Sequence, residues 1–277
     1  MSNQISTAFI KQYEREVHTA YQRRGSKLRG TVRTITGVEG YSTTFQKVGK
    51  GSAGTKDRHG LVPVMNVDHT VVECILADYY AGDWVDRLDL LKTNVDERKV
   101  VTDAGAFALG RKTDELILNE LLSATTSIAV GTSHTTPTKV LAGIAALGAR
   151  DVPMEDGEIY FLCGWPEWTN LMTYATFASA DYVPSSEMPF AGQGMVAKRW
   201  SGVMVMPSSL IGADGNNVST GVMWHSSAVG HAVGAEVSTD ITWHGDRASH
   251  FVANSMSMGA ELIDDNGIIK ILGDRDL

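Results

Sequence analysis

The strongest constraint in this chain is a stretch that it cannot bury with its own residues. Residues 26–78 read as strands placed around a polar loop, FQKVGKGSAGTKDRHG over 45–60. The segments SKLRGTVRTIT (26–36), YSTTFQKV (41–48) and HTVVECILAD (69–78) are rich in β-branched residues, which predicts strands. LVPVM (61–65) reads as a short edge strand because of Pro63. Each of these segments holds few apolar residues, and a two- or three-stranded ribbon is marginal alone in water. The expectation is a ribbon that must lie on a neighbour.

Within the loop, Gly49-x-Gly51-x-x-Gly54 fits a dinucleotide fingerprint, and Thr55-Lys56 makes it resemble a phosphate loop with its Lys and hydroxyl residue in reversed order. A nucleotide site needs a helix N-terminus after the glycines, so that amide N–H groups meet phosphate. Here TKDRHGLVPV follows, with no helical period. A phosphate loop also needs its Lys directly after the second glycine, and Lys56 is one residue late. The preferred reading is a basic, glycine-softened tip with no cofactor. A nucleotide-binding enzyme using 49–54 is the remote alternative.

Elsewhere the pattern is mixed. Ile5, Phe9, Tyr13, Val17 and Tyr21 predict an amphipathic helix over 3–24, ended by Gly25. GDWVDRLDLLKT (82–93) places Trp84, Val85, Leu88 and Leu91 at helical spacing, with Asp83, Asp86 and Asp89 between them. A long helix is predicted from about 96 to 124, with Asp96 as its cap. Gly105 and Gly110 inside it would each cost about 1 kcal/mol against Ala. They predict another backbone packed closely across the helix. A polar linker (125–135) leads to helices at 136–149 and 165–177, each with Pro at its first turn. Strands are predicted at 158–163, 201–207, 222–225, 235–244 and 250–264, and DDNG (264–267) reads as a hairpin turn before IIKIL.

Composition excludes several classes. With 277 residues, 43% hydrophobic and 20% charged, the chain can bury a real core. No apolar run approaches the roughly 18–20 residues of a membrane helix, and the N-terminus lacks the apolar stretch of a signal peptide. Cys74 and Cys163 lie far apart in apolar surroundings and read as buried thiols of a reducing compartment. The eight histidines show no metal-ligand spacing, and no nucleophile elbow occurs among the serines. Trp165, Trp168, Trp200, Trp224 and Trp243 read as core or interface residues.

Net charge is −8, but residues 1–60 carry 11 Lys and Arg against four acids. That is +7, which leaves −15 on the remainder. A basic arm on an acidic body predicts association between copies, ahead of contact with nucleic acid. The candidate contact residues are Arg23, Arg24, Arg29, Lys47, Lys50, Lys56 and Arg58. Asp83, Asp86 and Asp89 read as a solvated helix face available to them.

The order of elements, and several stretches, resemble the major capsid proteins of tailed bacteriophages with the HK97 fold. FIKQYEREVHTAYQRRGSKLRGTVR resembles that family's N-terminal arm and first ribbon strand, and FQKVGKGSAGTKDRHG the tip of its extended loop (E-loop). AFALGRKTDELI is similar to the middle of the spine helix, and FASADYVPSSEMPFAGQGMVAKRWSGVMVMPSSLI to the axial domain. GAELIDDNGIIKIL resembles the closing hairpin of the peripheral domain. The resemblance implies an α+β, HK97-like fold. Its expected parts are an arm and first strand (1–36), an extended loop (37–78), a peripheral domain with spine helix (79–135), an axial domain (136–245) and closing peripheral strands (246–277).

It also implies hexamers and pentamers closing an icosahedral head around double-stranded DNA, with the chain as a structural component of the virion and no catalytic role. The implied partners are other copies, portal and scaffolding proteins, a decoration protein, and packaged DNA through non-specific contact, with no membrane. Assembly in the bacterial host cytoplasm is expected. Because the chain opens at Met1 directly on the arm, the expected scaffold is a separate protein. Nothing in the sequence marks an activating acid or a receiving Asn for the loop lysines, so no crosslink is expected. An encapsulin-like or gene-transfer-agent shell is the alternative within the fold.

Overall fold

A computed structural model describes residues 25–88, 97–129, 134–178 and 198–275. The helix expected over 3–24 lies outside the described residues. In chain order the strands are β1 (Arg33–Thr36), β2 (Ser42–Val48), β3 (His69–Ile75), β4 (Ala77–Asp86) and β5 (Ser127–Ile128). They continue with β6 (Ile159–Cys163), β7 (Lys198–Trp200), β8 (Val203–Pro207), β9 (Val218–His225), β10 (Val229–His244), β11 (Ser249–Leu262) and β12 (Ile268–Asp274). The helices are α1 (Glu97–Ser123), α2 (Pro137–Gly148), α3 (Trp165–Met172) and α4 (Ala175–Ala178). Among the described residues these form three sheets, ordered β1-β10-β11-β4, β5-β12-β9-β6-β8-β7 and β2-β3.

The chain divides into two compact units. The larger comprises Lys27–Ala77, Thr113–Gly234 and Met258–Leu277, and its centre is the six-stranded sheet. That sheet has a core on each face. Leu162, Val222, Trp224 and Ile268 point to one side, where Ile117, Leu118 and Leu121 of α1 cover them. Phe161, Met223, Ile269 and Ile271 point to the other, with Val140 and Leu147 of α2 and Trp168 and Leu171 of α3. Strands buried on both faces read as continuous apolar runs, which is why EIYFLC and IIKIL show no alternation. Pro137 and Thr136 start α2 as expected, with the Thr136 hydroxyl accepting from the Lys139 amide. Asp114 of α1 accepts from the Lys27 and Leu28 amides at 2.9 to 3.1 Å, which fixes the chain entering this unit. Both cysteines are buried and free, and burial together with Glu261 and Glu120 pushes the Cys74 thiol up to about 11.

The smaller unit contains the described parts of Asp78–Lys112 and Ala235–Ser257. Here α1 meets the sheet through glycine. A Cβ at Gly105 would lie 2.1 Å from the Asn254 amide and 3.3 Å from the Ala81 carbonyl, and one at Gly110 would lie 2.7 Å from the Gly25 backbone. The expected close approach across this helix is therefore present. Asn254 is fully buried, donating to Ala81 and accepting from the Thr239 hydroxyl.

Four expectations about elements require correction. Residues 82–86 continue a strand rather than open a helix. Gly82 lies against the Phe251 ring, and β4 is laddered into a sheet, so pairing overrides the helical spacing of Trp84 and Val85. Leu61–Met65 is not a strand but one limb of the loop. β11 and β12 belong to different sheets and form no hairpin, because β12 pairs with β9 and β5. Asp264 instead caps a 3-10 turn at Asp265–Gly267. Finally, the root of the ribbon rests on its own chain. Phe45 and Cys74 are fully buried, joining Leu76, Ala232 and Ile263 in a third core.

Glycine makes that seat. A Cβ at Gly230 would lie 2.5 Å from the Phe45 ring, and one at Gly259 would lie 2.2 Å from the Ile75 carbonyl. Phe45→Ala is expected to lower stability by about 3 to 5 kcal/mol. Gly259→Ala is expected to cost about 1 to 3 kcal/mol through overpacking. Shifts in the urea denaturation midpoint would measure both.

Candidate functional site

The β2–β3 ladder runs from Ser42 opposite Ile75 to Val48 opposite His69. Side chains alternate across it. Phe45, Cys74 and Lys47 share the face turned to the body, so Val48, Val71 and Ile75 share the opposite, exposed face. The last rung is the Gly49 amide on the Asp68 carbonyl at 2.8 Å. Beyond it the two limbs stay close. A Cβ at Gly51 would meet the Met65 sulfur at 2.3 Å, and one at Gly54 would meet Pro63 at 2.9 Å. Gly49, Gly51 and Gly54 are absent from the left-handed backbone positions, so these glycines serve close passage of the limbs rather than an unusual turn. A turn at Asp57–Gly60 follows them, and no helix starts there. The tip is strongly exposed: Leu61 95%, Val62 72% and Val64 82%.

Two ion pairs hold the root. Lys47 meets Asp264 at 2.8 Å, both about one-third exposed. Burial opposes ionisation of Asp264, but hydrogen bonds from Lys47 and the Asn266 backbone outweigh it and hold the carboxyl below its ordinary range. Lys50 meets Asp151 at 2.5 Å, with side chains 72% and 77% exposed, and also donates to the Arg150 carbonyl. That hydrogen bond and the Lys50 charge lower the Asp151 pKa. Asp151 sits at φ 59°, in the left-handed region.

The remaining candidates are placed differently. Lys56 and Arg58 are exposed on the loop. Arg29 is half-buried in a 3-10 turn and already engaged. Asp83 and Asp86 are exposed, but on a strand their odd separation puts them on opposite faces, so the shared helix face expected for them does not exist. Each accepts from a nearby amide, of Trp84 and Leu88 respectively. Arg23, Arg24 and Asp89 lie outside the described residues. Sequence reasoning missed Asp151 and Asp264 as lysine partners, and no local pattern marks either one. It also missed the apolar tip, whose signal was available: LVPV is a run of apolar residues beside Pro with nothing in sequence to cover it.

A family model described as phage capsid protein matches residues 5–274. No curated protein matches the sequence. Among solved structures, the capsid of cyanophage P-SCSP1u superposes with a TM-score of 0.75 at 17% identity, over 99% of this chain and 95% of that one. The capsid of Ralstonia phage GP4 gives 0.73 at 12% identity, over 96% and 95%. That of cyanophage Pam1 gives 0.72 at 12%, over 97% of each. At such identities the likeness is one of fold.

The root ion pair carries a pH dependence. The pKa of Asp264 is depressed by folding, so its stabilisation is complete above the ordinary carboxylate range near about 4 and is lost as pH falls below it. Denaturation midpoints read by tryptophan fluorescence should fall between pH 6 and about 3 in the native chain, and fall less in Lys47→Met, which lacks the pair.

Proposed function

Because the chain belongs to the phage capsid protein family, we propose that its exposed ribbon is the part that joins one shell subunit to the next. The chain is a major capsid protein: a structural component of the virion, building an icosahedral shell, with an α+β, HK97-like fold. It associates with its own copies into capsomers. On our reading these are hexamers and pentamers around double-stranded DNA, the chain catalyses no reaction, and assembly takes place in the host cytoplasm. Portal and scaffolding proteins and a decoration protein are the further partners on this reading. The parts anticipated from the sequence, from the arm (1–36) to the closing strands (246–277), remain the working division of the subunit.

One observation carries the joining role: three apolar side chains exposed by 72–95% stand at the end of a ribbon whose root is anchored. Covering a Leu or Val side chain stabilises by roughly 1.5–3 kcal/mol, and a neighbouring copy supplies that cover once per subunit. The basic arm complements this through Arg23 and Arg24 against the acidic body.

Leu61→Asp with Val62→Asp is expected to abolish rings and shells in negative-stain images while leaving the subunit's denaturation midpoint unchanged, since neither side chain is buried. Normal shell yield would overturn the joining role of the tip. Arg23→Glu with Arg24→Glu is expected to weaken assembly, more at low salt than at high. An unchanged yield would show that the arm binds through its apolar stripe.

A further inference from the structure

We propose that the two lysines at the ribbon's root form an unequal clamp, with Lys47–Asp264 as a fixed hinge and Lys50–Asp151 as a releasable catch. Identical subunits would then hold the loop tip at two heights. Both contacts lie within one subunit and do not depend on what the tip touches in a shell.

Three observations separate the two contacts. The inner pair is about one-third exposed, and Asp264 is also held by the Asn266 amide. Lys47 lies on the face of the ribbon that carries Phe45, so moving it means unseating a buried ring. The outer pair is 72% and 77% exposed and lies beyond the last rung of the ladder. Exposed pairs in solvent are weak and screened by salt. Lastly, a pocket of about 140 Å³ lies beside the outer pair, and the loop contributes only Lys50 to its lining, opposite Arg150, Asp151, Val152, Pro153 and Asp264. Lifting the loop at Lys50 therefore withdraws a single loop side chain from the body, whereas lifting it at Lys47 would open the core around Phe45.

Release is a rotation about the strand ends. Gly49 lies at the pivot, where its amide bonds the Asp68 carbonyl across the two limbs. The catch holds the loop against the turn at residues 150–151. Without it, the Gly49–Asp68 rung opens and the limbs lift from the turn, while β2 and β3 remain on the body.

Amide hydrogen exchange on the unassembled subunit tests this. Asp151→Asn should speed exchange of the Gly49 amide, the last rung, about three- to tenfold and leave 42–47 unchanged. Lys47→Met should speed exchange at Gly49 and in 42–47. Unchanged exchange at Gly49 in Asp151→Asn, or an equal rise at 42–47, would overturn the clamp. The reversed pair, Lys50→Asp with Asp151→Lys, should restore protection of the Gly49 amide, and failure to restore it would likewise count against the catch. A wild-type chain that forms no shells would leave these exchange results standing and would instead defeat the capsid reading.

Discussion

The seating of the Phe45 ring against Gly230 is the contact on which the functional surface depends. The ribbon carries apolar residues on both faces, and the body accepts the face with Phe45 because residues 230 and 259 carry no side chain. Once Phe45 and Cys74 point inward, the period of two leaves no further choice. Lys47 must face the body, where Asp264 meets it, and Val48, Val71 and Ile75 must face away. The exposed apolar row is thus a consequence of the buried one.

A second constraint of the same kind operates along α1. Gly105 and Gly110 cost the helix propensity but admit Asn254 and the backbone at Gly25 to within distances that no Cβ allows. Asn254 then donates to the Ala81 carbonyl and accepts from the Thr239 hydroxyl, so both polar atoms of a fully buried side chain have a partner. In the larger unit the sheet is covered on both faces and is held by apolar packing, leaving polar groups such as Asp114 for chain entry points.

Much of the architecture was legible. The spine helix, the first proline-started helix and the doubly buried strands follow from local spacing and length, and their bounds fall within a few residues of those observed, whereas the helix expected over 165–177 breaks after Met172 and resumes at Ala175–Ala178. The failures share one cause. Trp84 and Val85 fit a helix by spacing, yet the segment is laddered beside Phe251, a residue more than 160 positions on in the sequence. β12 reads as the partner of β11 because a turn separates them, yet its neighbours are β9 and β5. Strand partners are set by long-range pairing, which period and propensity do not encode.

The amino-acid sequence alone established a basic, glycine-bearing loop between two strands too poor in apolar residues to stand unsupported. It also argued against a nucleotide site there, leaving one as a remote alternative, because the required helix is absent from the pattern itself. Tertiary structure decided which surfaces support the loop. Composition reports that charges and apolar residues exist, but only the folded chain brings Lys47 to Asp264 and Lys50 to Asp151, across 217 and 101 positions. The same folding turned the GKGSAG glycines from a flexible tip into the narrow passage of two limbs, since Met65 and Pro63 approach them only when the loop folds back on itself.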